Sequence, residues 1–332
     1  MSNMYKKLYS LFLITILISL SIFACRNASA ENISSDEKRS FKVAVLLARK
    51  INADGWTRAG YEGLVLIEQE LHAEIAYTES VAEADFERVF RQYARDGFDF
   101  IIGHGGQLVP AAEIVAEEFP RTKFAVVTKY GGNNKNLGTL SMRDSELAYL
   151  VGVVAALKTK TNKVGHVGGI PYAAGKEIAT LFERGVKDIN PGATVFIEWI
   201  GDFTDRDKAR EIAQSQIEND ADVLFTIAAG TSVVVHQLAE DAGVYTLGWV
   251  EDLHNLAPNT VVTSGIQDLP LLLLKGATLV RQGRWEGKQY KFGLREGVQR
   301  LAPFYGLLTP EEEAQVNAVK NDIISGKIDL TP

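Results

Sequence analysis

Eight aromatic and polar residues in this 332-residue chain each stand just beyond the end of a short apolar run: Trp56, His104, Gln107, Tyr130, Tyr172, Phe203, Trp249 and Asp252. Ring faces offer stacking surface, while imidazole, amide, phenol and carboxylate groups offer donors and acceptors at an edge. That combination suits gripping a flat heteroaromatic molecule better than breaking a bond. Packing of rings beneath loops is the competing explanation for any single member, and it weakens as the set grows.

Bond-breaking chemistry has no comparable support. Gly-x-Ser-x-Gly does not occur, and Gly103-His104-Gly105-Gly106-Gln107-Leu108 does not complete a dinucleotide fingerprint. Gly169-Ile170-Pro171-Tyr172-Ala173-Ala174-Gly175-Lys176-Glu177 mimics a phosphate loop, but it has one residue too many between its glycines and Glu177 where a magnesium-binding hydroxyl is needed. The five histidines, His72, His104, His166, His236 and His254, lack ligand spacing, so no metal and no other cofactor is expected. His72 and His236 read as surface or helix-flank residues. Asp202, Asp205 and Asp207 lack the glycine and terminal glutamate of a calcium loop, and Asp205 is better placed to cap the helix that follows.

The sequence begins like an export signal: Lys6 and Lys7, an apolar run from Leu8 to Ala24, then Ala28-Ser29-Ala30 as a small-residue cleavage site. Residues 1–30 are therefore read as a signal and 31–40 as a polar linker. The run is short for a membrane anchor. The single cysteine, Cys25, ends it in a lipobox-like Ile22-Phe23-Ala24-Cys25, so lipidation at Cys25 and cleavage after Ala30 both stand. The expected location is the periplasm or, as a lipoprotein, the outer side of the cytoplasmic membrane. With no other cysteine, the folded part depends on its core and has no thiol nucleophile. Loss of Lys6, Lys7 and Arg26 takes 35 basic residues to 32 against 42 acidic ones, and the formal charge from −7 to −10. Such a surface argues against nucleic acid or anionic lipid as partner.

Short apolar runs alternating with amphipathic stretches must position these residues. Strands are predicted at 41–47, 74–77, 98–103, 124–128 and 137–142, with helices near 55–71, 82–95, 109–119 and 146–158. The alternation restarts with strands at 163–169, 194–200, 222–227 and 244–248 and helices near 174–189, 206–219 and 232–242. This rhythm implies parallel, doubly wound sheets, and two sheets are more economical than one very wide one. A strand at 261–266 and a helix at 269–282 are expected to return to the first sheet; 290–294 reads as a strand and 310–325 as a helix with Glu311, Glu312 and Glu313 in its first turn. The lobes are thus expected to comprise 41–143 plus about 260–290, and 144–258 plus about 291–332. A cleft lies between the carboxyl ends of their strands.

The segment Glu146–Gly169, ELAYLVGVVAALKTKTNKVGHVGG, resembles the signature of the basic membrane protein family of ABC-transporter substrate-binding proteins. Further matches are Asp54-Gly55-Trp56-Thr57-Arg58-Ala59-Gly60-Tyr61-Glu62-Gly63, Phe119-Pro120-x-x-Lys123-Phe124, Ile189-Asn190-Pro191 and Asp220-Ala221-Asp222-Val223. The resemblance implies a type I periplasmic-binding-protein fold, α/β in class, that closes on a solute and presents it to a membrane permease. Members with known ligands mostly bind purine nucleosides or bases, and some bind riboflavin. By position, the resemblance makes Trp56 and Phe203 the stacking aromatics and Gly230 a point of close backbone approach.

Departures narrow the expectation. Nucleoside-binding members commonly have aspartate where this chain has Thr128 and Val250, and often lysine at Gln267. Ribose hydroxyls left without those partners in a closed cleft would be costly, which favours a free base or another flat ring. The Gly-Trp-Thr form of the first loop resembles the purine-base branch. The expected receptor is monomeric and non-enzymatic. It grips a purine-like solute between Trp56, His104, Gln107, Thr128 and Tyr130 on one lobe and Tyr172, Phe203, Gly230, Trp249 and Asp252 on the other, with Gln267 added by position. A flavin receptor is the alternative, and a secreted nucleoside hydrolase a remote one.

Overall fold

The computed structural model describes residues 40–53 and 55–330; the leader, Cys25 and Asp54 lie outside the described residues. The first half runs β1 (Lys42–Leu47), α1 (Gly55–Leu71), β2 (Glu74–Thr78), α2 (Phe86–Arg95), β3 (Phe100–His104), α3 (Val109–Glu118), β4 (Lys123–Val127) and β5 (Leu137–Met142). The second runs α4 (Asp144–Lys158), β6 (Lys163–Gly168), α5 (Ala173–Ile189), β7 (Thr194–Trp199), α6 (Arg206–Glu218), β8 (Val223–Ile227), α7 (Ser232–Ala242), β9 (Tyr245–Val250) and β10 (Val261–Gln267). Then follow α8 (Leu269–Arg281), β11 (Gln289–Phe292), β12 (Gln299–Leu301) and α9 (Pro310–Ser325).

Two six-stranded sheets result, ordered β11-β5-β4-β3-β1-β2 and β12-β10-β9-β8-β6-β7. All pairings are parallel except β10 with β12. Strands covered on both faces must be apolar along their whole length, and β1, β3 and β4 are buried almost throughout. Each sheet reverses direction of growth at its first strand: β1 lies between β2 and β3, and β6 between β7 and β8. The carboxyl ends of those strands are where an open α/β sheet leaves a crevice.

Helix α4 is apolar on every side, and Leu147 to Ala156 are all buried, as a helix enclosed by its neighbours requires. Its close partner is α5. A Cβ at Gly152 would lie 2.1 Å from the Phe182 carbonyl oxygen, and one at Gly185 would lie 2.1 Å from that of Tyr149. The two glycines therefore let the helices meet backbone to backbone. Asp205 accepts from the Lys208 amide at 2.9 Å and caps α6, as expected. Thr309 and Glu312 form a reciprocal capping box on α9, with Pro310 at its first turn.

The chain crosses between sheets three times, and one crossing is later than expected. Val261–Gln267 pairs with β9 and β12 in the second sheet, so 260–267 does not belong to the first lobe. The return comes at Asp268, after which α8 packs against α1 with Leu273 and Pro270 close to Gly63. Gln289–Phe292 then joins the first sheet beside β5, and the chain leaves again before β12. Apolar β-branched composition marks a strand but cannot say which of two sheets takes it.

His236 is a second correction. Far from flanking a helix at the surface, it is fully buried, with Nδ1 2.8 Å from Thr246 Oγ1. His166 on β6 is likewise enclosed, its ring 5.2 Å from Trp199 and 5.5 Å from Phe225. Burial pushes both imidazoles down to about 4 from an ordinary 6.5.

Two outcomes follow for stability. Gly152→Ala should improve helix propensity yet lower unfolding free energy by about 1–3 kcal/mol, because the methyl meets a backbone carbonyl that cannot rotate away; urea denaturation measures it. Unfolding exposes His166 and His236, so the unfolded chain binds protons first as pH falls below 6.5. Their contribution is complete above pH 6.5 and disappears as pH falls towards 4. The urea midpoint should drop across that window, and less steeply in the His166→Phe/His236→Asn variant.

Candidate functional site

A cavity of about 870 Å³ lies at the carboxyl ends of both sets of strands and is lined from both lobes. The sheet reversals deliver its aromatic residues. Trp56 is the second residue of α1, beyond β1; Tyr172 precedes α5, beyond β6; Phe203 sits in the turn between β7 and α6; Gly230 lies in the single turn after β8. Of the residues expected at the site, Trp56, Thr128, Tyr172, Phe203, Gly230, Trp249 and Gln267 line this cavity. His104, Gln107, Tyr130 and Asp252 are not among its lining residues.

Those four have other structural partners. His104 is 3% exposed and stacks behind the Trp56 indole, with ring centroids 4.6 Å apart and planes 23° apart. Its Nε2 is 2.8 Å from the Trp56 carbonyl oxygen, so it holds Trp56 in place. Room for that imidazole comes from Gly60, where a Cβ would lie 2.8 Å from the ring. Gln107 folds back over Gly105, whose φ of +130° only glycine adopts readily. Tyr130 donates its hydroxyl to Glu113, and Asp252 accepts from Tyr305 and from the His254 amide at 3.1 Å.

The second lobe shows why its signature strand ends in paired glycines. A Cβ at Gly168 would come within 2.4 Å of Trp199, and one at Gly169 within 2.2 Å of Phe203. Absence of side chains lets the Phe203 ring lie on the backbone at the cavity wall. Tyr172 leaves half its surface open there, at 52%. Trp249 is mostly core, at 9% exposed, packed edge-on against Phe225 and over Gly265. A Cβ at Gly230 would meet no atom within 4 Å, so this backbone faces open space. Val250 and Ala229, also in the lining, have φ of +80° and +48°. A β-branched residue in that region is strained, and such strain gathers at ligand-binding positions.

Several lining groups escaped the sequence reading: Lys129, Ser141, Met142, Asp144, Ile178 and Glu251. Lys129 was accessible to the strand-end rule, since it stands between Thr128 and Tyr130. Asp144 was not, because its partners are remote in sequence. Its Oδ1 accepts from Gln267 Nε2 at 2.8 Å and from Gln299 Nε2 at 3.0 Å. Its Oδ2 is 3.7 Å from Lys129 Nζ, which donates to Glu177 Oε2 at 3.0 Å. Burial pushes the Asp144 carboxyl up, opposed by Lys129 and the two glutamine donors. Burial and the nearby Asp144 carboxylate push the Tyr172 phenol up.

Chemically, this arrangement offers ring faces, aliphatic side chains and several polar groups. Among the described residues no group of three or more His, Cys, Asp or Glu is gathered as a metal site. No described helix is long and apolar enough to cross a membrane.

The same chain organisation occurs in known proteins. A protein of Listeria innocua described as a CD4+ T-cell-stimulating antigen is 29% identical over 351 residues, covering 98% of each chain. An ABC transporter nucleoside-binding protein of Lactococcus lactis is 27% identical over 94% of this chain and 95% of its own. A purine-binding protein of Brucella abortus is 28% identical over 77% and 74%. The crystal structure of a transcriptional activator of the comK gene from Bacillus halodurans superposes with a TM-score of 0.76 at 24% identity, covering 87% of this chain and 99% of that one. The likeness at that identity is one of fold, the type I periplasmic-binding-protein fold. The family profile described as Bmp, ABC transporter substrate-binding protein PnrA-like, matches residues 40–331, and with almost the whole folded chain matched, this protein belongs to that family of ABC transporter substrate-binding proteins.

Proposed function

We propose that the protein captures a purine-like solute, a free base in preference to a nucleoside, and hands it to an ABC permease without altering it chemically. The observation that carries this reading is the convergence of Trp56 from one lobe with Tyr172 and Phe203 from the other on a single cavity. Stacking between rings holds any flat heteroaromatic, and the purine-binding and nucleoside-binding relatives give that class its support. Much of the remaining wall is aliphatic, with Val127, Leu140, Ile178, Ile227, Leu253 and Leu272. A sugar, polar around its whole circumference, would leave hydroxyls unpaired against such a wall.

A free base suits this cavity better than its nucleoside. Thr128 offers a hydroxyl, and Val250 a half-exposed isopropyl group, at the lining positions where the family resemblance leads one to expect carboxylates in nucleoside binders. Neither grips ribose as a carboxylate would. The receptor acts as a monomer, exported by residues 1–30 and either anchored through a lipid on Cys25 or released after Ala30. Closure of the two lobes around the solute creates the surface that the permease recognises.

Isothermal titration with adenine, hypoxanthine, adenosine and guanosine should give binding for at least one base, tighter than for its nucleoside. Trp56→Ala should weaken it roughly tenfold or more, in line with about 1–3 kcal/mol for a base stacked on an aromatic side chain. No heat with any of the four would refute the ligand class. Native mass spectrometry of freshly purified protein should show a co-purified purine mass; a flavin mass with a visible absorbance band would replace purine by riboflavin. Free base released from a nucleoside would show that the protein is an enzyme after all.

A further inference from the structure

One carboxylate in the cavity lining stands where the chain passes from one sheet to the other. Asp144 opens α4 at the first crossing between sheets, Gln267 ends β10 at the second, and Gln299 begins β12 after the third. The Asp144 carboxylate collects both glutamine amides on Oδ1, at 2.8 and 3.0 Å. One oxygen is thereby committed to joining the crossings. The other, Oδ2, is 3.7 Å from the Lys129 ammonium, beyond hydrogen-bond range, and the side chain keeps 14% of its surface open in the cavity lining. Lys129 is itself drawn to Glu177 across the cleft at 3.0 Å, so its charge is shared between carboxylates of the second lobe.

We propose that Asp144 Oδ2 is the acceptor with which the cleft reads its solute, selecting heteroaromatic rings that carry an unsubstituted N–H at the edge and rejecting their N-alkylated counterparts. This inference rests on the cleft being a site for a heteroaromatic solute. An ionised carboxylate accepts only, and a ring N–H aimed at it forms a charge-assisted hydrogen bond stronger than a neutral one. Replacing that hydrogen by a methyl group buries the carboxylate oxygen against carbon, which forfeits the bond and leaves the charge without its donor. Because the same carboxylate holds Gln267 and Gln299, a solute bonded to it is tied directly to the segments about which the lobes move.

The orientation of an asparagine at this position makes a clean test. With two glutamine amides donating to one side, Asp144→Asn keeps those bonds by turning its oxygen to them and its NH₂ to the cavity, converting the acceptor into a donor without changing size. Calorimetry should show wild-type protein binding adenine at least tenfold more tightly than 9-methyladenine, and hypoxanthine at least tenfold more tightly than 1-methylhypoxanthine, for whichever pair presents its ring N–H to Oδ2. Asp144→Asn should lose tenfold to a hundredfold for that parent base while the methylated partner changes by less than threefold, with an unchanged circular dichroism spectrum. If Asp144→Asn does not fold, the wild-type comparison alone decides. Parent and methylated bases binding equally in both pairs, or parent affinity retained by Asp144→Asn, would overturn the inference and leave the purine reading standing. Failure of every purine to bind wild-type protein would remove that reading and the inference with it.

Discussion

A partly buried carboxylate at a strand-to-helix junction holds this molecule's organisation together. Asp144 lies where the chain first leaves one sheet for the other, and its Oδ1 receives the side-chain amides of Gln267 and Gln299 from the later crossings. Taking a carboxylate out of water is costly unless donors replace the water. Here the donors come from residues 123 and 155 positions away, so the desolvation of one group is offset only when all three crossings are in place. The wall of the cavity and the connection between lobes therefore share one interaction.

Around that junction, glycine sets distances that side chains would forbid. Gly152 and Gly185 bring α4 and α5 into backbone contact, which fixes where β6 emerges. Gly168 and Gly169 at its end admit Trp199 and Phe203 against the main chain, and Gly60 admits the imidazole that backs Trp56. Each is a close approach, and those at Gly60, Gly168 and Gly169 position a ring. The signature segment thus works at both ends: its helix seats the second lobe, and its terminal glycines shape that lobe's side of the cavity. What first resembles a phosphate-binding turn is a surface against which aromatic rings lie.

Repetition of one sheet order in both halves explains why the cavity is two-sided. Each sheet grows outwards in both directions from its first strand, so the loops after β1 and β6 diverge from their neighbours at equivalent places. Trp56 follows one, and Tyr172 follows the other. Strained backbone at Ala229 and Val250 lies on the second side only, where Gly230 also opens the wall.

Sequence alone determined much of this. Apolar runs long enough to be buried on both faces, alternating with helical stretches, implied doubly wound parallel sheets, and two were more economical than one very wide one. The residues after those runs had to lie at one end of them, and Trp56, Tyr172 and Phe203 do line the cavity there. Tertiary structure decided which side chains in those loops turn inwards. His104 ends β3 and supports Trp56 from behind, while Tyr130, in the loop beyond β4, reaches Glu113. It also decided that β10 belongs to the second sheet, since strand composition reports burial and not the identity of the neighbour. Asp144 drew no reading, standing just ahead of the helix expected at 146–158, and His236 read as a surface or helix-flank residue. Their environments are made by Gln267, Gln299 and Thr246, and no local pattern records a partner brought in from another strand.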